Sequence, residues 1–353
     1  MRILVATDAW RPQVNGVVRT YERLIEQASR LGAEIDLLEP AEFSSFPAPT
    51  YPEIRLAIPG FGVVRRRFAQ VRPDAVHIAT EGPIGWMARA HCLAHRIPFT
   101  TSFHTRFPEY LKPRFGVPET WTYRLLRSFH NAGAGVMVAT PSLATELSAR
   151  GFERILPWTR GVDTCTFAPL PERRFGAGPV FLCVGRVAVE KNLPAFLDLN
   201  LPGRKVVVGE GPQLAELRAR YPRVTFTGKL TGADLAECYA SADVFVLPSR
   251  TETFGIVQLE AMASGLPVAA YPVTGPVDLV TPGVTGVLSE NLREAALAAL
   301  TLDKTKIRAK ALDYSWENAA RLFLANIESA QFAKLGRRVP SRRKRLGRRA
   351  ALG

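Results

Sequence analysis

The chain has 353 residues, of which 47% are hydrophobic and 22% charged, the make-up of a folded protein with enough length for two cores. Its formal net charge is +14, but residues 334–353 carry nine Lys/Arg and no acid, so the remainder is only mildly basic and a specific nucleic-acid binder is disfavoured. The longest apolar runs fall far short of the ~20 residues needed to cross a bilayer.

The first residues, MRILVATD, run directly into a buried-strand pattern with no apolar leader or small-residue cleavage site, so a cytoplasmic protein is expected. Strand patterns follow at 2–7, 34–39, 75–80, 99–104 and 135–140, with helical patterns at 17–31, 83–96, 119–131 and 142–150. Strands that are apolar throughout and separated by helices predict a parallel sheet covered on both faces. Residues 155–178 break this rhythm with three prolines and no periodicity, and read as a hinge or linker. The alternation then restarts, with strands at 180–185, 205–209, 224–228, 243–248 and 267–271. The predicted fold class is α/β, two doubly wound Rossmann-like domains facing a central cleft. The expected division is 1–165 for the first domain and 166–315 for the second, with a last helix at about 316–330 crossing back to the first and a disordered basic tail at 334–353.

Ligands of such sheets bind beyond the carboxyl ends of the strands, so the loops there carry the chemistry. A dinucleotide enzyme is disfavoured because G-x-G-x-x-G is missing from both halves. His91 and His95 have metal-like spacing with Cys92 beside them, but there is no H-E-x-x-H, no third ligand nearby and no D-x-D. No metal and no bound cofactor is expected. Cysteines 92, 165, 183 and 238 lack C-x-x-C spacing and read as reduced.

Arg186 and Lys191 in GRVAVEKN end the first strand of the second half, facing the loop after DVFVLPS, which suits an anion such as a diphosphate. The next loop runs into a helix through TETFGIVQLE, with Glu252 and Glu260 on either side of Phe254, Gly255 and Ile256. Free N–H groups at a helix start hold a phosphate, and Gly255 lets a ligand approach the backbone closely. Eight residues of helix rise about 12 Å, roughly the length of a sugar–diphosphate–ribose unit. Carboxylates accept hydrogen bonds from vicinal hydroxyls. Two acids flanking an anion site therefore point to a nucleotide sugar.

The Glu-x7-Glu stretch, preceded by DVFVLPS and followed by AMASGLPVAA, resembles the retaining family 4 glycosyltransferases of the GT-B fold. GR…EKN, VGEGP, GVD at 161–163 and NGV at 15–17 stand in that family's order, so the likeness covers nearly the whole chain. The resemblance implies that Glu252 bonds the donor sugar and Glu260 the ribose. The amides of Phe254, Gly255 and Ile256, with Arg186 and Lys191, would bind the diphosphate and stabilise the leaving group. Gly209, Glu210 and Gly211 would line the base pocket, the loop at Asn15 and Gly16 would close over the donor, and His104 would contact the sugar near the reacting carbon. Two departures stand out: Asn15–Gly16 where many relatives have Gly-Gly, and Arg160 where many have Asn before GVD. Both look like the glycolipid-forming subgroup.

The donor half says little about the acceptor. FGVVRRRFAQVR at 61–72 and RFPEYLKPRF at 106–115 mix apolar and basic residues, as a protein on an anionic bilayer does, and the polybasic tail adds to this. The expectation is a peripheral protein on the inner face of the cell membrane, moving a hexose or uronic acid from a UDP-linked sugar to a lipid such as diacylglycerol. Glu81, Arg160 and Asp163 are the candidate acceptor contacts. The alternatives are a GDP-mannose-dependent mannosyltransferase acting on a lipid or glycan, a nucleotide-sugar epimerase or hydrolase, and a non-catalytic nucleotide-sugar binder. Oligomeric state is not legible.

Overall fold

A computed structural model describes residues 1–334 apart from Val14, residues 49–50, Pro59 and residues 171–173. The basic tail beyond Lys334 lies outside the described residues.

The first half contains strands β1 (Arg2–Ala6), β2 (Glu34–Leu38), β3 (Ser45–Ala48), β4 (Tyr51–Ala57), β5 (Ala75–Ile78), β6 (Phe99–Ser102), β7 (Gly135–Val138) and β8 (Ile155–Pro157). Its helices are α1 (Gly16–Arg30), α2 (Phe61–Val71), α3 (Pro83–Ala94), α4 (Phe107–Phe115), α5 (Glu119–Asn131) and α6 (Pro141–Ala149). Six strands form one parallel sheet in the order β2-β1-β5-β6-β7-β8, and β3 and β4 form a separate antiparallel hairpin. β8 was hidden in a segment that reads as linker, because its three residues end in Pro157 and run into the aperiodic stretch that follows.

The second half contains β9 (Val180–Val184), β10 (Arg204–Val208), β11 (Thr225–Gly228), β12 (Val244–Leu247), β13 (Val268–Ala270) and β14 (Gly286–Leu288). They form a parallel sheet in the order β11-β10-β9-β12-β13-β14. Its helices are α7 (Pro194–Leu197), α8 (Leu214–Arg220), α9 (Gly232–Ala240), α10 (Ile256–Ala263), α11 (Pro276–Leu279), α12 (Leu292–Ala299) and α13 (Lys304–Leu312).

β1, β9 and β12 are buried nearly end to end because helices cover both faces of each sheet, which is why they read as continuous apolar runs. α1 packs through Val18, Tyr21, Leu24 and Ala28, one stripe at helical spacing. Strand order reverses between β1 and β5 in the first sheet and between β9 and β12 in the second. The crevices that open at those two reversals are where ligands of doubly wound sheets bind.

The chain passes between the two sheets twice, and the passes are joined. Val162 donates its N–H to the carbonyl of Tyr314 at 3.0 Å. A Cβ on Gly161 would stand 2.4 Å from the Trp316 nitrogen, so only glycine fits there. The returning pass becomes α14 (Trp316–Lys334), whose Ala320, Phe323 and Ile327 join the first domain's core with Ile3, Val5, Tyr21 and Trp158. All four cysteines are free of disulfides; Cys92, Cys183 and Cys238 are buried and Cys165 is exposed.

Candidate functional site

The loops after β9 and β12 leave the second sheet side by side and are tied together. Asn192 Nδ2 donates to the Pro248 carbonyl at 3.0 Å, and Thr251 Oγ1 to the Glu190 carbonyl at 3.3 Å. Lys191 Nζ thereby meets Glu252 Oε1 at 2.6 Å. Burial by itself would raise the Glu252 pKa, but Lys191, Ser249 and Arg106 bring it below the ordinary value. Burial would likewise lower Lys191, yet the facing Glu252 and Tyr110 push it above the usual lysine range. Both groups are held charged. Arg186 is half-buried on the same loop.

α10 begins at Ile256, with Gly255 as its N-cap at φ +78°, a left-handed conformation that other residues adopt only under strain. Gln258 donates its N–H to the Gly255 carbonyl at 2.9 Å, while the N–H groups of Ile256 and Val257 at the α10 start have no acceptor within the helix, an arrangement suited to an anion. Because the helix starts this late, only about 6 Å of helical rise separates Ile256 from Glu260. A continuous eight-residue helix between the two acids is thus not what forms: the Glu252 end of the spacing is set by the tied loops. Glu260 is 4% exposed, and both its oxygens are engaged, one by Arg19 NH1 at 3.0 Å and one by the Tyr239 hydroxyl at 2.9 Å. Burial raises its pKa against the pull of Arg19 and Tyr239.

The first domain supplies the facing wall. Arg160 donates through NH2 to His104 Nδ1 at 3.0 Å. A guanidinium only donates, so Nδ1 carries no proton and His104 holds its hydrogen on Nε2. That nitrogen lies 3.3 Å from the Tyr21 hydroxyl, which in turn lies 2.8 Å from His77 Nε2. Burial, then Arg160, then His77 and His130 push His104 well below the usual histidine range, so it is neutral. Burial and Arg160 bring His77 down to about 3. The Thr253 hydroxyl donates to the His104 carbonyl at 2.9 Å and locks this wall onto the loop before α10.

Gly209 and Gly211 cross beneath the loop after β9. A Cβ on Gly209 would stand 1.8 Å from the Gly185 carbonyl oxygen, and one on Gly211 2.4 Å from that of Val187. Glu210 is exposed between them and accepts from the Val187 N–H through its carbonyl. Asn15 is the N-cap of α1, its Oδ1 accepting from Val17 and Val18 at 3.0 Å each. A Cβ on Gly16 would meet nothing within 4 Å, so open space lies above it.

Two candidate acceptor contacts are already engaged within the protein. The Glu81 side chain is 3% exposed and spent on buried His130 Nε2 at 3.0 Å, because that histidine needs a partner in the core. Asp163 builds a turn, accepting from the N–H groups of Cys165 and Thr166 and from Arg23 NH2 at 2.9 Å. Arg106, read from sequence as part of a membrane-facing stretch, is 7% exposed and turned inward: it pairs with Glu146 at 2.6 Å and donates to the Glu252 carbonyl at 3.0 Å. The side chains of Leu111 and of residues 113–115 in that stretch lie outside the described residues.

Arg19, Arg106 and Tyr239 were missed by sequence reasoning. For Arg19 a signal existed, since it stands four residues after Asn15 and therefore on the same face of α1. Arg106 and Tyr239 find their partners only in three dimensions.

Two family models match the chain: "Glycosyltransferase Family 4" over residues 14–165 and "Glycosyl transferases group 1" over residues 178–303. The chain is 31% identical over 319 residues to a GDP-mannose-dependent alpha-mannosyltransferase of Mycobacterium tuberculosis, covering 82% of this chain and 83% of that one. It is 26% identical to the alpha-monoglucosyldiacylglycerol synthase of Streptococcus pneumoniae over 95% of this chain and 88% of that one. Among solved structures, sucrose-phosphate synthase from Thermosynechococcus elongatus superposes with a TM-score of 0.74 at 21% identity, covering 94% of this chain and 99% of that one, a likeness of fold.

Proposed function

The chain belongs to the family 4 glycosyltransferases, and from that premise we propose that it moves a hexosyl unit, with retention of anomeric configuration, from a nucleoside diphosphate sugar to a hydroxyl of a membrane lipid. The observation that carries this is the Lys191–Glu252 pair at the start of α10, opposite a neutral His104 held by Arg160. The diphosphate lies against the α10 N-terminus, where Lys191 and Arg186 stabilise the charge that grows as the C1–oxygen bond breaks. Glu252 accepts from a sugar hydroxyl while keeping Lys191 in place. His104 offers its Nε2 hydrogen to the sugar, for the link to Tyr21 is long and open to exchange. The acceptor oxygen bonds C1 on the face the phosphate leaves, and its proton passes to the departing phosphate oxygen. Glu260 and the Gly209–Gly211 loop receive the ribose and base once Arg19 has moved aside. No step draws on a metal.

For the donor, the 31%-identical relative that uses GDP-mannose supports a guanosine sugar. A UDP-linked hexose is a second reading; the likeness to an alpha-monoglucosyldiacylglycerol synthase supports a glucosyl unit and the lipid acceptor. Among the described residues no helix is long and apolar enough to cross a membrane. The first domain does expose Phe61 beside Arg65 and Arg66 on α2, and Trp121 and Leu125 beside Arg124 on α5, a mixture that suits an anionic lipid surface.

The test is to incubate full-length protein with labelled GDP-mannose, UDP-glucose or UDP-glucuronate and vesicles with and without diacylglycerol, then extract the lipid. Label in the organic phase, α-linked by NMR, is expected. Free sugar alone, or label independent of vesicles, would count against lipid glycosylation.

A further inference from the structure

Two arginines are buried among the described residues, and the chain treats them differently. Arg106 is met by Glu146 at 2.6 Å and by Glu109 at 3.1 Å, so its charge is balanced. Arg160 is 5% exposed and has no carboxylate in ion-pair contact among the described residues. It lies over the Trp158 ring at 4.0 Å and donates to the carbonyls of Trp158 at 2.7 Å and Thr159 at 3.1 Å, besides His104. Every one of these acceptors is neutral. The ionisable groups around it, Tyr21, His77 and His104, are also held neutral. Burying an ion without a counter-ion is costly, so a ligand that brings the opposite charge to Arg160 would recover part of that cost.

The position says which part of a ligand that is. Arg160 touches His104, whose carbonyl is bonded to Thr253, two residues before the α10 N-cap. The diphosphate has its own cations in the second domain, Arg186 and Lys191. Arg160 stands on the opposite wall, beside the place where sugar and acceptor meet. Its guanidinium offers a planar, permanently charged fork suited to a carboxylate, sulfonate or phosphate.

We propose that Arg160 is the receptor for an acidic substituent carried into the cleft by one of the two reacting partners: the transferred sugar is a uronic or similarly acidic hexose, or the acceptor headgroup bears such a group. This rests on the glycosyl-transfer reading and narrows its substrate class. The acid of the substrate completes the ion pair that the protein leaves open, and the same contact fixes the His104 tautomer next to the sugar.

The experiment compares acidic and neutral substrates in full-length wild type, Arg160→Gln and Arg160→Lys. The donor arm measures calorimetric affinity for UDP-glucuronate against UDP-glucose. The acceptor arm measures transfer from whichever of GDP-mannose, UDP-glucose and UDP-glucuronate turns over, onto vesicles doped with glucuronosyl-diacylglycerol against glucosyl-diacylglycerol. In one arm wild type should prefer the acidic partner by about 30-fold or more, as expected for a buried charge pair. Arg160→Gln should bring that ratio close to one, and Arg160→Lys should keep part of it. Equal use of acidic and neutral partners by wild type in both arms overturns the proposal. So does an Arg160→Gln variant that loses both alike, which would make Arg160 a positioning residue for His104. Absence of lipid label from every donor would instead sink the transfer reading, while the donor arm still reports on acid recognition.

Discussion

Replacing Lys191 by Met tests whether the pair at the α10 start is held charged. The two groups lie 2.6 Å apart, with Glu252 side-chain exposure at 8% and Lys191 at 27%. Removing one partner of such a pair costs about 3–5 kcal/mol, because the other is left buried and unpaired. A domain of this size loses about 2–4 °C of Tm per kcal/mol, so a drop on the order of 10 °C is expected at neutral pH. The pH dependence is the sharper reading. In wild type the folded Glu252 pKa lies below 4.5, so its contribution is complete above 4.5 and is lost as pH falls through the folded value. Lys191 lies above 10.5, so its contribution is complete below 10.5 and is lost as pH rises through the folded value. Between those limits the pair adds a constant. In the variant only Ser249 and Arg106 oppose the burial of Glu252, and its pKa climbs above 4.5. The folded state then favours the protonated acid, and stability is lost as pH rises through that new value. The Tm gap between wild type and variant, followed by scanning calorimetry, should be widest near pH 8 and shrink toward pH 5. A gap of equal size at both ends would refute the reasoning. Adding Glu252→Gln to the variant should recover part of the lost stability and flatten the profile.

Gly209→Ala forces a Cβ to within 1.8 Å of the Gly185 carbonyl, parting the two loops that carry the donor contacts. A cost of about 3 kcal/mol and loss of nucleoside diphosphate affinity are expected by melting and calorimetry, whereas Gly16→Ala, with open space around it, should melt with wild type. Arg19→Gln removes an ion pair that joins the domains at Glu260, so small-angle scattering should show a larger radius of gyration without nucleotide, returning to the wild-type value when GDP or UDP is added. An unchanged radius would show that Arg19 is no latch.

Both sheets were legible in the sequence because their inner strands are apolar along their whole length, as in VFLCV and VFVL, and no solvated face dilutes the pattern. β8 and β14 were not: each has three residues, and their flanks ERILPW and PGVTGVLS lack the apolar run that makes the equally short β13 legible in PVAAY. The β3–β4 hairpin was missed as well: two prolines interrupt its alternation. Residue chemistry at strand ends brought Lys191 and Glu252 to notice, as each loop follows a strand that could be read. Their surroundings were not readable, because Arg19 reaches Glu260 across 241 residues of chain and Arg106 reaches the Glu252 carbonyl across 146. Glu81 illustrates the opposite error. It has the right residue type at a strand end, yet the buried His130 claims it.

The two joined passes at Val162–Tyr314 and Gly161–Trp316 act as the spine of a book. A single pass would let the halves slide or twist apart; two passes bonded side by side leave rotation about their own line as the free motion. Displacement in a rotation grows with distance from its axis. Arg160 adjoins the spine in the chain, so such a rotation displaces it little. Opening the cleft about that line parts the Arg19–Glu260 pair, which spans the domains, and leaves the Arg160–His104 contact, made within one domain beside the spine, assembled.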